Sequence, residues 1–305
     1  MYYLTSSDFF DTQGANSATL GSLRLSVPLC SRPEVTGDGV CYVGETISQT
    51  VIAINRTTGA IVDDDVFGTI PQDATGGESV QLDCVAGGFY GSADQCVVGA
   101  RNGMVLLYTR DGSDAWTLSS SDFFGVDVGL KATPHCWDAD GDGDTDCLVG
   151  SGYWWATPTG VYFFRNDGAS SSGVTWTSSS DYLPSDPIRT RSMSAVTCDI
   201  DGDLQPEILV AGGIDGNRVI QMYRLSGSTP TIDNATNPFD GITFNNGETN
   251  FVGMLGLECV DLDGNGVMDV IVADRQHDQW HVPGALVYSG FPYPSPPPAS
   301  PPPSP

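Results

Sequence analysis

Basic residues are scarce. The 305-residue chain has 12 Lys+Arg against 38 Asp+Glu, a formal net charge of −26, and only 3 His. Nucleic-acid phosphates and anionic membrane surfaces are therefore excluded as partners, because both are held by Lys and Arg. No run of about 18 apolar residues is present, so no segment reads as a membrane span. The first residues, Met1 to Asp8, lack the basic start and apolar stretch of a signal peptide. No Gly-x-Ser-x-Gly elbow or Walker loop occurs, and no window of 11 residues carries a helical period.

What is present is 40% hydrophobic residues, enough for a core, with 37 Gly and abundant Ser and Thr. That composition suits short strands joined by turns. There are 8 Cys, an even number, and two acceptor sequons, Asn55-Arg56-Thr57 and Asn234-Ala235-Thr236. Together these point to an exported protein, either relieved of its leader or part of a longer precursor.

The cysteines set the register of a repeat. Cys30, Cys84, Cys136, Cys198 and Cys259 each open a unit, at spacings of 54, 52, 62 and 61. In the first three units a second Cys begins a shared phrase: Cys41-Tyr42-Val43-Gly44, Cys96-Val97-Val98-Gly99 and Cys147-Leu148-Val149-Gly150. Ile208-Leu209-Val210-Ala211 and Val270-Ile271-Val272-Ala273 stand there in the last two. A second apolar phrase follows in every unit, usually with a basic residue before a Gly turn, as in Val105 to Gly112 and Tyr162 to Gly168. A third phrase, Trp116-Thr117-Leu118-Ser119-Ser120-Ser121-Asp122-Phe123-Phe124, is echoed from Trp176 and again at the N-terminus, from Tyr3 to Phe10.

The fifth unit ends after its third strand, while a spare outer strand lies at the N-terminus. A closed ring reconciles the two and protects the sheet edges. The expectation is an all-β fold over 1–290, a five-bladed β-propeller closed by Tyr2 to Thr5. Donation of that strand to a neighbouring molecule is the rival. Residues 291–305 are expected to form a polyproline II tail.

Three units carry an acidic loop between their first and second strands. They are Asp138 to Asp146, with Asp140, Asp142 and Asp144; Asp199 to Glu207, with Asp201 and Asp203; and Asp261 to Asp269, with Asp263 and Asn265. Oxygen ligands at loop positions 1, 3, 5 and 9, with a backbone carbonyl at 7, wrap one Ca²⁺. An EF-hand needs Glu at position 12, where Val149, Val210 and Val272 stand. A solvated acidic turn would not recur in step with the strands.

Asp-x-Asp-Gly-Asp-Gly-x-x-Asp followed by an apolar strand resembles the FG-GAP/VCBS repeat, the calcium-bearing blade of integrin α-subunit propellers and many secreted proteins. The resemblance is strongest over roughly 120–300 and weaker over roughly 15–120. Members usually have seven blades; the count here is five. Units one and two have lost the ligands, with Arg32, Glu34, Thr36 and Val40 standing at the places of Asp138, Asp140, Asp142 and Asp146. Disulfides Cys30–Cys41, Cys84–Cys96 and Cys136–Cys147 are expected across the hairpin loops. Cys198 and Cys259 remain to pair across blades or stay as thiols, connectivity being open at the level of spacing.

The tail's Ser-Pro-Pro-Pro units resemble the hydroxyproline-rich glycoproteins of plant and green-algal walls, extensins and pherophorins. That resemblance implies hydroxylated, glycosylated prolines (Pro296, Pro297, Pro298, Pro301, Pro302, Pro303) and O-glycans on Ser295, Ser300 or Ser304.

The functional expectation is a non-enzymatic, extracellular, calcium-stabilised glycoprotein. Its role would be structural, scaffolding or adhesive, in a fibre, wall matrix or surface appendage. Its partners would be glycans, other extracellular proteins or further copies of itself in a filament. The alternative is a lectin, or a polysaccharide lyase or glycosidase. Trp154, Trp155 and Trp280 are the candidate ligand-stacking residues, or else hydrophobic caps of their blades. His277 and His281 lie in a loop and are taken as surface residues.

Overall fold

The computed structural model describes residues 2–5, 29, 33–37, 39–45, 50–55, 58, 60–68, 70–71, 81–100, 102–110, 112, 115–130, 132–151, 160–170, 173–179, 183, 194–200, 205–214, 217–226, 229–232, 237–240, 254–261, 268–275 and 284–288. In chain order it forms β1 (Tyr2–Thr5) and a single helical turn, α1 (Pro33–Thr36). Blade one follows as β2 (Val40–Glu45), β3 (Thr50–Asn55) and β4 (Ile61–Asp63). Blade two is β5 (Gln81–Val85), β6 (Gln95–Gly99), β7 (Val105–Arg110) and β8 (Trp116–Ser120). Blade three is β9 (Thr133–Trp137), β10 (Asp146–Ser151), β11 (Gly160–Ser170) and β12 (Gly173–Ser179). Blade four is β13 (Ser194–Cys198), β14 (Glu207–Ile214), β15 (Asn217–Ser226) and β16 (Thr229–Ile232). Blade five is β17 (Met254–Val260), β18 (Asp269–Arg275) and β19 (Gly284–Tyr288).

The sheets are antiparallel meanders in the order of the sequence units, and the fold is the β-propeller expected. β1 is the outer strand of blade five, paired antiparallel with β19 through Tyr2↔Val287 to Thr5↔Gly284. Blade one has three named strands. Leu29 adds a bridge to Tyr42 where an innermost strand would lie, with Leu29 N–H donating to Tyr42 O at 2.7 Å.

Blades two and three run from a buried second strand to a more exposed outer one. β6 and β10 are buried along their whole length, whereas β8 and β12 are largely exposed. The recurrent Gly of the Val-Gly phrase has a packing cause: a Cβ on Gly99 would sit 2.0 Å from the Ala132 carbonyl oxygen.

Linker side chains help fill the interfaces between successive blades. Phe67 plugs the core between Tyr42, Val51 and Ala53 of blade one and Leu82, Val98 and Tyr108 of blade two. Phe124 does so between Leu107 and Phe164, and stacks on the latter ring at 4.0 Å. Leu183 sits between blades three and four, and Phe239 between blades four and five. An aromatic of this kind contributes about 3–5 kcal/mol as judged by truncation to Ala.

Cys84–Cys96 and Cys136–Cys147 join directly paired residues of one hairpin. Cys198–Cys259 crosses from blade four to blade five. Cys41 is also disulfide-bonded; Cys30, its expected partner, lies outside the described residues. So does the proline tail. Among the described residues no helix is long and apolar enough to cross a membrane.

The closed loops differ in length, with sequence separations of 61 for Cys198–Cys259 and 12 for Cys84–Cys96. Chain entropy then assigns about 4 kcal/mol to the inter-blade bond and about 3 kcal/mol to the hairpin bond. Denaturant titration should show the Cys198→Ala/Cys259→Ala protein less stable than Cys84→Ala/Cys96→Ala; the reverse order contradicts this assignment.

Candidate metal centre

β9 ends at Trp137 and β10 begins at Asp146, so the loop between them must turn back within eight residues. It does so on its own carboxylates. Asp138 accepts from Gly141 N–H (2.7 Å) and Gly143 N–H (3.0 Å), Asp140 from Asp142 N–H (3.3 Å), and Asp142 from Asp144 N–H (2.9 Å). Gly141 and Gly143 supply the left-handed backbone at φ 80° and 93°.

Asp146 is fully buried at the base of this curl. Its Oδ2 accepts from Ala139 N–H at 2.9 Å and its Oδ1 from Asn166 N–H of β11 at 2.8 Å. Asp138, Asp140 and Asp146 each bring a carboxylate oxygen to within 4.8 Å of the others. Two oxygens on opposite sides of one Ca²⁺ are at most about 5 Å apart, so the trio fits a single ion. The donors are all hard oxygens, which suits Ca²⁺ or Mg²⁺ rather than a thiolate- or imidazole-seeking metal. Asp142 and Asp144 are not in the trio; Asp142 spends Oδ1 on the loop's own backbone.

Blade four repeats the anchor. Glu207, at the start of β14, takes Ile200 N–H on Oε2 at 3.1 Å, as Asp146 takes Ala139 N–H. Its other oxygen meets Arg224 Nη1 at 2.8 Å. In blade five Asp269 is buried at the start of β18 and Asp261 is half-buried at the end of β17. Asp201, Asp203, Asp263 and Asn265 lie outside the described residues, as do Trp154, Trp155, Trp280, His277, His281 and Asn234. Asn55 ends β3, where its Oδ1 accepts from Thr58 N–H at 2.9 Å.

Blade two keeps the same anchor without charge: Gln95 Oε1 takes Phe89 N–H at 2.7 Å. The signal was in the sequence, since Gln95, Asp146, Glu207 and Asp269 each begin a second strand. In blade one, α1 occupies the loop and Thr36 Oγ1 donates to Val40 O at 2.9 Å.

One polar chain escaped the sequence reading. Asp83 Oδ2 lies 3.1 Å from His135 Nδ1, and His135 Nε2 accepts from Thr197 N–H at 2.9 Å, with Thr197 Oγ1 at 2.8 Å. The order acid–imidazole–hydroxyl is that of a hydrolytic triad. Here, however, the Nε2 lone pair is engaged by a backbone N–H, which places the ring proton on Nδ1 toward Asp83. The chain ties the inner strands of blades two, three and four.

Residues 138–210 match the FG-GAP-like repeat, a span that includes both the Asp138–Asp146 and the Asp199–Glu207 loops. No curated protein matches the chain significantly in sequence. Among solved structures, a mutant of Aleuria aurantia lectin with Fucα1-6GlcNAc is 11% identical, covering 77% of this chain and 67% of its own, at a TM-score of 0.46. The Aleuria aurantia lectin described as a six-bladed β-propeller with a novel fucose recognition mode scores 0.46, at 11% identity over 77% of this chain and 66% of its own. A mutant with α-methyl-L-fucoside scores 0.48, at 10% identity over 84% and 72%. Likeness at that level carries no information on ligands here.

Without a cation, burial pushes Asp146 up from 3.8 to about 6, with Asp140 and Asp142 adding repulsion against its two backbone hydrogen bonds. The folded chain thus holds this proton more tightly than the unfolded one. The resulting stability is complete below 3.8 and is lost as pH rises through about 6. Ion-free protein should therefore gain stability between about pH 7 and about pH 5, and Asp146→Asn should remove that gain. An unchanged pH profile in Asp146→Asn contradicts this.

Proposed function

We propose that the protein is an extracellular binding or scaffolding module whose propeller is stabilised by calcium and which performs no catalytic turnover. The observation that carries the reading is the convergence of Asp138, Asp140 and Asp146 at the mouth of one blade, the buried member sitting on the first residue of β10. Asp138, Asp140 and Asp146 would hold the ion, which supplies positive charge where three carboxylates otherwise repel one another. The chain's own contribution is to fix their positions through the loop amides. Such an ion joins the end of β9 to the start of β10 and makes the blade edge rigid.

The disulfides suit an oxidising compartment. The Pro/Ser-rich 291–305 segment suits a stiff, glycosylated spacer that carries the acidic bead within a fibre or matrix. Glycans or other extracellular proteins are the partners proposed, and assembly into a filament follows from a rod that a neighbouring bead can grip.

A ligand bound only to the folded state, at a hundredfold over its Kd, stabilises by about 2.7 kcal/mol. Calcium should raise the melting temperature relative to EDTA, and Asp140→Asn, which alters an exposed side chain, should abolish most of that rise. An identical melting temperature in calcium and EDTA overturns the reading. Cleavage of a polysaccharide, lost on mutating a carboxylate outside the loops, would replace it with an enzymatic one.

A further inference from the structure

We propose that Arg224 is a built-in counter-cation that stands in for calcium in blade four, so that the acidic loops are not equivalent binding sites. This rests on the calcium reading above and concerns which loops take the ion.

The same place in three successive blades shows three ways of handling charge. In blade two the anchoring side chain is neutral, Gln95. In blade three it is Asp146, whose oxygens receive only backbone N–H groups among the bonds described above. In blade four it is Glu207, 1% exposed, with Arg224 at 2.8 Å. A buried carboxylate needs a countercharge, and a guanidinium already in contact supplies one at no cost in binding entropy.

The register shows how blades three and four come to differ. The pair Cys147↔Phe164 puts Arg165 beside Asp146, and Ile208↔Tyr223 puts Arg224 beside Glu207. Both blades therefore carry an arginine at the matching position. Arg165 is turned outward, 48% exposed, with its Nε 2.7 Å from Asp167 Oδ1. The residue two beyond Arg224 is Ser226, which offers no charge to draw the guanidinium away. Glu207 is also one methylene longer than Asp146, which lets it hold Ile200 N–H and Arg224 together. In blade five the described part of the third strand ends at Tyr288, and the next residue in the sequence is a serine rather than an arginine.

Calorimetric titration with CaCl₂ in variants that isolate one loop tests this. Asp138→Asn/Asp261→Asn leaves blade four, and Asp199→Asn/Asp261→Asn leaves blade three. Calcium should bind isolated blade four about tenfold or more weakly than isolated blade three. Adding Arg224→Gln should tighten blade four by about tenfold, while Arg224→Lys, which keeps the charge, should not. In EDTA, Arg224→Gln should melt lower, with calcium restoring it. The converse variant, Asp167→Ser, removes the exposed partner of Arg165 (and its hydrogen bond from Thr177 Oγ1) and should weaken isolated blade three by freeing Arg165 to turn inward.

Equal affinities of the two isolated loops, or an Arg224→Gln protein with unchanged affinity, overturn the proposal and leave the calcium reading intact. No calcium uptake by the wild-type protein at any loop overturns both.

Discussion

A carboxylate buried at the first residue of a second strand is the constraint on which the rest of the molecule turns. Asp146, Glu207 and Asp269 occupy that place in blades three, four and five, all nearly inaccessible to water. The position is useful because its oxygens can hold the loop that precedes the strand, as the Ala139 and Ile200 amides show. It is costly because burial disfavours the charged form, which is why Asp146 titrates near 6 in the ion-free chain. The net charge of −26 makes the field at these loops still less hospitable to an anion. An internal arginine and a neutral glutamine are two physical answers to this problem within a single chain, and an external cation is the third that we propose.

Those loops sit where they do because the ring holds them there. Linker side chains Phe67, Phe124, Leu183 and Phe239 fill successive blade interfaces, so each blade is positioned by its neighbour's exit segment. The inner strands are joined further by Asp83, His135 and Thr197, and by the Cys198–Cys259 bond. A change of charge at one loop is therefore felt in a stiff frame, and cation binding can report on global stability.

Much of the frame was legible in the sequence. Phrases recurring at nearly constant spacing set the strands, and the misplaced copy from Tyr3 revealed that β1 completes blade five, as its pairing with β19 shows. Cys84 opens its unit, Cys96 begins the shared phrase of the following strand, and the two stand directly opposite each other in the ladder. Contacts between units were harder to read. His135 meets partners more than fifty residues away on either side in sequence, and no local pattern announces it. The plugs differ in identity and in distance from the strands, so they did not read as one class. Arg110, Arg165 and Arg224 look alike in the second phrase, yet they turn to Asp94, Asp167 and Glu207 respectively. Different neighbours receive each one, and Arg110 also donates to Val35 O at 2.9 Å and lies over the Trp116 ring. α1 is too short for any period to show.

Anomalous diffraction from crystals grown in calcium tests the central claim most directly, since it locates ions without reference to function. With calcium limited to about the affinity of the stronger loop, the account predicts a strong peak enclosed by Asp138, Asp140 and Asp146, and a much weaker one beside the Glu207–Arg224 pair. No peak at the Asp138–Asp146 loop even in saturating calcium, or equal peaks there and against Glu207 at the limiting concentration, would contradict it.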